Sequence, residues 1–128
     1  MARRRSATLT EAELRLMEVL WQRGHASVAE VTASLPPPPI AYNSVLTTMR
    51  ILERKGYVAH EEAGRAFIYR PLLGREEAAG HAVGHVLSRF FDNSAGSLAL
   101  RLIENERPSG DELARLKALI EEYEEGEK

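Results

Sequence analysis

The sequence predicts a mainly α fold with a small β-hairpin wing, in which three short helices and a hairpin are followed by a three-helix segment. Three observations predict it. Capping boxes, Ser or Thr followed three residues later by Glu, stand at Thr10–Glu13, Ser27–Glu30 and Ser109–Glu112 and mark helix starts. Gly24, the proline run 36–39 and Gly56 mark helix stops. Between Tyr57 and Pro71 the apolar residues fall into two short runs around Ala63-Gly64, the pattern of a hairpin.

Each element follows in order. Thr10 opens a helix that runs through about Gln22, with Leu14, Met17, Leu20 and Trp21 on its apolar side. Ser27 opens a second, short helix carrying Val28, Val31 and Leu35. The prolines end it, because proline lacks an amide donor and disfavours helix in the residue before it. The third helix spans 41–55. Tyr57-Val58 starts one strand, Ala63-Gly64 supplies the turn, and Ala66–Tyr69 forms the other strand, which Pro71 ends. Arg75–Phe91, a helix around 97–106 and a helix after Ser109 complete the chain. The first part, 1–74, is the order of a winged helix-turn-helix, a DNA-binding arrangement whose third helix enters the major groove. Three helices in 75–128 bury little core on their own, so this part is expected to be a dimerisation domain.

The third helix carries the chemistry. At 100° per residue Val45, Met49 and Leu52 gather on one side. Asn43, Thr47, Arg50 and Arg54 gather on the other, at spacings i, i+4, i+7 and i+11. Asn pairs bidentately with adenine, Arg with guanine, and Thr offers a hydroxyl and a methyl. Asn43, Ser44, Leu46, Thr47 and Arg50 are therefore the expected base readers, with Leu46 against a thymine methyl. Arg54, Lys55, Arg65 at the wing tip and an N-terminal arm of Arg3, Arg4 and Arg5 are the expected phosphate contacts, which give affinity without sequence information. The charge distribution agrees. Residues 1–74 hold ten Lys/Arg and seven Asp/Glu, residues 75–128 seven and twelve, so a +3 part and a −5 part make the net −2.

Other classes are narrowed. The absence of cysteine excludes disulfides, zinc-thiolate sites and a thiol nucleophile. No Ser/His/Asp or paired-carboxylate arrangement stands out, so neither an enzyme nor a cofactor is expected. No apolar run approaches the roughly 18 residues of a membrane span, and MARRRSATLT has no apolar stretch behind its arginines. A cytoplasmic protein without membrane insertion is the expectation. Glu77, His81 and His85 line one helix face at four-residue spacing, so a metal-responsive regulator is one alternative. A winged-helix protein-interaction module is another. Steep salt dependence of DNA binding separates that module from a repressor.

The stretches LTEAELRLMEVLW, AYNSVLTTMRILERKGYV and GRAFIYRPL, with the trailing helical segment, resemble the BlaI/MecI penicillinase-repressor family over residues 8–124. The small size of the 75–128 segment leads to the expectation that Phe90, Phe91, Leu98, Leu102, Leu116, Ile120 and Tyr123 pack against a second copy, and the resemblance implies a homodimeric transcriptional repressor on a pseudo-palindromic DNA operator. In well-known members a membrane sensor-protease relays β-lactam binding, and the repressor is cut between Asn and Phe in the helix matching SLALRLIENE. Arg101 and Leu102 occupy those two positions here. The copper-responsive branch uses a C-terminal cysteine cluster, which this chain lacks.

Overall fold

The computed structural model describes residues 8–126. The elements are α1 (Glu11–Arg23), β1 (Ala26–Ser27), α2 (Val28–Ser34), α3 (Tyr42–Lys55), β2 (Val58–Ala63), β3 (Ala66–Pro71), α4 (Arg75–Phe90), α5 (Ala95–Glu106) and α6 (Gly110–Gly126). The first two capping boxes close reciprocally, side chain to amide in both directions, at Thr10/Glu13 and Ser27/Glu30. Ser109 and Glu112 do the same for α6. Gly56 ends α3 in the left-handed region at φ 89°, where a side chain would be strained.

Packing divides the chain into two compact units, one up to Val86 and one from Leu87 onward. The expected boundary at 74/75 coincides instead with the start of α4. The first unit reaches into α4 because its first turns are held by α1. Trp21 Nε1 donates to the Leu73 carbonyl at 2.9 Å. The Arg75 guanidinium lies 4.8 Å over the Trp21 ring and bonds Glu18 at 2.6 Å. Ala78 is buried in the core.

In the first unit, Leu16, Met17, Leu20, Val31, Val45, Met49, Leu52, Tyr57, Val58 and Tyr69 are fully buried. The sheet is three-stranded and antiparallel, ordered β1-β3-β2. β1 was not expected; its two residues pair with the second hairpin strand, Ala26 with Tyr69 and Ser27 with Ile68. The hairpin turn is Gly64–Arg65 rather than Ala63-Gly64, since Ala63 and Ala66 form the closing pair. On α1, Met17 and Leu20 are buried and Trp21 packs against the core as expected, but Leu14 does not. Leu14 is exposed, while Leu16, Val19 and the carboxylate Glu13 are buried. Glu13 is accommodated because its Oε1 accepts from the Thr10 amide at 2.8 Å and from Lys55 Nζ at 2.7 Å.

In the second unit, α5 and α6 carry no buried side chain. Among its apolar residues Leu100, Leu102, Leu119, Ile120 and Tyr123 are exposed. An open groove between α5 and α6 is lined by Leu102, Pro108, Leu116 and Leu119 with Glu106 and Glu112.

The buried ion pair makes a test. Removing Glu13 leaves the Lys55 ammonium, which is only 23% exposed, without a counter-charge. Glu13→Ala should cost about 3 kcal/mol of stability, the scale of breaking a buried pair from one side. Urea denaturation measures it, and a loss below about 1 kcal/mol, the scale of a surface pair, would contradict the role given to Glu13.

Candidate nucleic-acid interface

The interface is built on α3. Val45, Met49 and Leu52 seat it in the core, and Asn43, Ser44, Thr47, Arg50 and Arg54 lie along its exposed face. The stretch from Asn43 to Arg54 covers roughly 17 Å of helix at 1.5 Å per residue. That is about five base-pair steps of 3.4 Å. The entrance to α3 is fixed from α1, where the Arg15 guanidinium bonds the carbonyls of Pro36 at 2.6 Å and Pro38 at 2.5 Å. The N-cap, Ala41, supplies no side-chain bond to the first turn. The first-turn amides therefore face outward with the positive end of the helix dipole, a setting that favours phosphate. No acidic residue lies in that first turn, and Arg54 and Lys55 close the last one.

Several expected contacts take other places. Leu46 is half-buried and packs against the core, so it is a seating residue rather than part of the open face. Lys55 Nζ is held by Glu13 and by the Thr8 carbonyl at 3.1 Å, which turns this ammonium inward. Sequence periodicity could not show this, because the partners lie more than 40 residues apart. Arg65 stands exposed in the hairpin turn. Arg3, Arg4 and Arg5 lie outside the described residues. Two further exposed side chains belong to the same unit. Tyr42 is the first residue of α3 and is 49% exposed. Arg70 is exposed on β3. A large aromatic at a helix start, off the buried side, was the available signal for Tyr42.

The seam between α3 and the hairpin is polar and aromatic. His60 Nδ1 lies 2.9 Å from each oxygen of Glu53. The imidazole stacks on Phe67, centroids 4.2 Å apart, and leans on Tyr69 at 5.3 Å. Burial, then the Glu53 carboxylate, pushes the Tyr69 hydroxyl above the ordinary phenol range, and Arg50 opposes the shift.

The histidine face of α4 does not assemble a metal site among the described residues. Glu77 Oε1 accepts from the Gly74 amide at 2.9 Å and serves as a cap for α4. His81 meets Tyr57 edge-on, with centroids 6.3 Å apart. Of the expected dimer residues, Phe90, Leu102, Ile120 and Tyr123 are exposed, and Phe91, Leu98 and Leu116 are half-buried.

Three helices, a short sheet and an open hydrogen-bonding face on the third helix define a winged-helix DNA-binding protein. The chain belongs to the penicillinase repressor family, whose profile matches residues 9–122. It is 28% identical over 116 residues to the penicillinase repressor of Bacillus licheniformis, covering 90% of this chain and 91% of that protein. It is 20% identical over 113 residues to the methicillin resistance regulatory protein MecI of Staphylococcus aureus strain N315, covering 88% and 92%. The solution structure of the DNA-binding domain of the repressor BlaI superposes with a TM-score of 0.50 at 26% identity, over 56% of this chain and 88% of that one. The protein is thus a transcriptional repressor with a DNA-binding winged helix, and not an enzyme. No helix among the described residues is long and apolar enough to cross a membrane.

Base reading by the open face has a direct test on the duplex that the protein selects from a randomised pool. Asn43→Ala and Thr47→Ala should each weaken binding to it by about 1–3 kcal/mol and relax the preferred sequence. An equal loss on selected and random duplexes, measured by fluorescence anisotropy, would remove both from the readers.

Proposed function

We propose that the protein is a homodimeric repressor that reads a pseudo-palindromic operator with the α3 of each copy. Asn43, Ser44, Thr47 and Arg50 contact bases, and Arg54 and Arg65 contact phosphates. The observation that carries the dimer is the state of the second unit, in which α5 and α6 leave Leu102, Ile120 and Tyr123 open to solvent and bury no side chain. Tyr123 is 70% exposed and Phe90 74%. Apolar surface of this kind is stabilised by burial against a partner, at roughly 25 cal/mol per Å². A second copy presents the same surface, as a two-fold interface requires. Two reading helices joined in this way bind two half-sites one turn of DNA apart, or a multiple of it. The second contact is then intramolecular, so the joined pair binds far more tightly than either half.

The names of the relatives tie those proteins to penicillinase and methicillin resistance, which supports β-lactam-response genes as the regulated class here. Release follows from loss of the dimer. Arg101 and Leu102 are exposed on α5, and a cut between them, triggered indirectly by a membrane sensor-protease, splits that helix and separates the reading units. This reading places the protein on cytoplasmic DNA, without a metal or cofactor.

The dimer claim has a defined outcome. Leu102→Glu places a carboxylate on the apolar surface, where burial leaves it unpaired. Sedimentation should give a monomer, and affinity for the selected duplex should fall at least about tenfold while a single half-site is bound as before. A Leu102→Glu dimer with unchanged affinity would contradict the interface.

A further inference from the structure

Glu53 is the sole acidic side chain of α3. It stands three residues beyond Arg50 and one before Arg54, on the helix that approaches phosphates. An uncompensated carboxylate there opposes binding of a polyanion. The structure pairs it with the hairpin. His60 on β2 brings Nδ1 to 2.9 Å from both Glu53 oxygens. Both side chains are partly open to solvent, His60 at 28% and Glu53 at 34%. The pair is therefore within reach of the field of a bound duplex.

The seam gathers charged and aromatic groups around the ring. From α3 the charged groups that face this seam are Glu53 and, beside the same tyrosine, Arg50. From β3 come the rings of Phe67, stacked at 4.2 Å and 20° between planes, and Tyr69. From β2 itself Glu62, opposite Phe67 in the strand register, lies two residues along and on the same strand face as His60. Two carboxylates, an aromatic face and one arginine thus stand around this ring. An arriving row of phosphates adds negative potential to the same side. Histidine is the side chain whose charge changes between about pH 5 and 8.

We propose that His60 is a positioning residue for DNA reading, and that operator binding is coupled to uptake of one proton on its imidazole. The protonated ring neutralises Glu53 beside the reading face. It also fastens β2 to α3, and so aims the Gly64–Arg65 turn that the same strand leads into. Linkage is reciprocal: if the duplex favours the proton, the proton favours the duplex. Affinity therefore rises as pH falls, by no more than tenfold per pH unit for one proton. This inference rests on DNA reading by α3.

The test measures affinity for the pool-selected duplex at about pH 6, 7 and 8, at constant ionic strength. Wild-type protein should bind roughly three- to tenfold more tightly at the acid end than at the alkaline end. His60→Gln keeps a hydrogen bond to Glu53 without the charge; it should be flat with pH and as weak as wild type at the alkaline end. His60→Arg keeps the charge at every pH; it should be flat and as tight as wild type at the acid end. Thermal melting of each variant excludes unfolding as the cause, and a purely structural His60 would not be rescued by arginine with loss of the pH slope. A flat wild-type profile overturns the proposal, as does a wild-type slope retained in His60→Gln. Failure of the wild-type protein to select or bind any duplex overturns DNA reading itself, a separate result.

Discussion

Everything in the first unit depends on how α3 is seated. Val45, Met49 and Leu52 reach zero exposure on one side of a 14-residue helix, and that commits the opposite side to solvent. The seat is shared. α1 supplies Leu16, Met17 and Leu20, and the sheet supplies Val58 and Tyr69. The orientation is then fixed at both ends, by Arg15 on the proline carbonyls before α3 and by Glu13 on Lys55 in its last turn. A helix held this way presents its outer side chains as one rigid surface. Rigid presentation is what base reading requires, because hydrogen bonds to base edges lose their worth when donors and acceptors drift by even part of an ångström.

The charge of the molecule is arranged around that surface. The net charge of −2 hides a basic first part, and the structure refines the division further. Lys55 is turned inward to satisfy a buried carboxylate, leaving Arg50, Arg54 and Arg65 as the outward cations of α3 and the hairpin turn. Arginine suits this place, since its guanidinium stays charged and its planar fork matches both guanine edges and phosphate. Glu53 runs against the pattern and is the residue for which the structure provides a partner from another element.

Much of this was legible from residues alone, and the misses have physical reasons. Capping boxes are local devices in which three-residue spacing is enough, and all three close as read. The buried and open sides of α3 were legible because 3.6-residue periodicity separates Val45, Met49 and Leu52 from Asn43, Thr47 and Arg50. On α1 the same reasoning chose Leu14 over Leu16 and Val19, since leucine and valine surround that helix on most sides and only tertiary packing decides which are covered. β1 was invisible because two residues have no periodicity; it exists through its pairing with Tyr69 and Ile68. Leu46 and Lys55 were placed outward by angle, and distant neighbours then claimed them. His60 was passed over for the same reason, as its meaning depends on Glu53 across the seam.

The second unit shows the opposite balance, with well-formed helices and no covered core. Helix formation there follows from local signals, and α5 and α6 leave Leu102, Ile120 and Tyr123 exposed. In the proposed dimer, a two-fold partner supplies the covering surface and doubles the reading helix in one step. The central claim, that the outer side of α3 lies against bases, has a direct measurement. A photoreactive side chain placed at Ser44 should cross-link, on irradiation of the bound complex, to a base within each half of the selected duplex. Cross-links confined to the sugar-phosphate backbone, or none while binding persists, would contradict it.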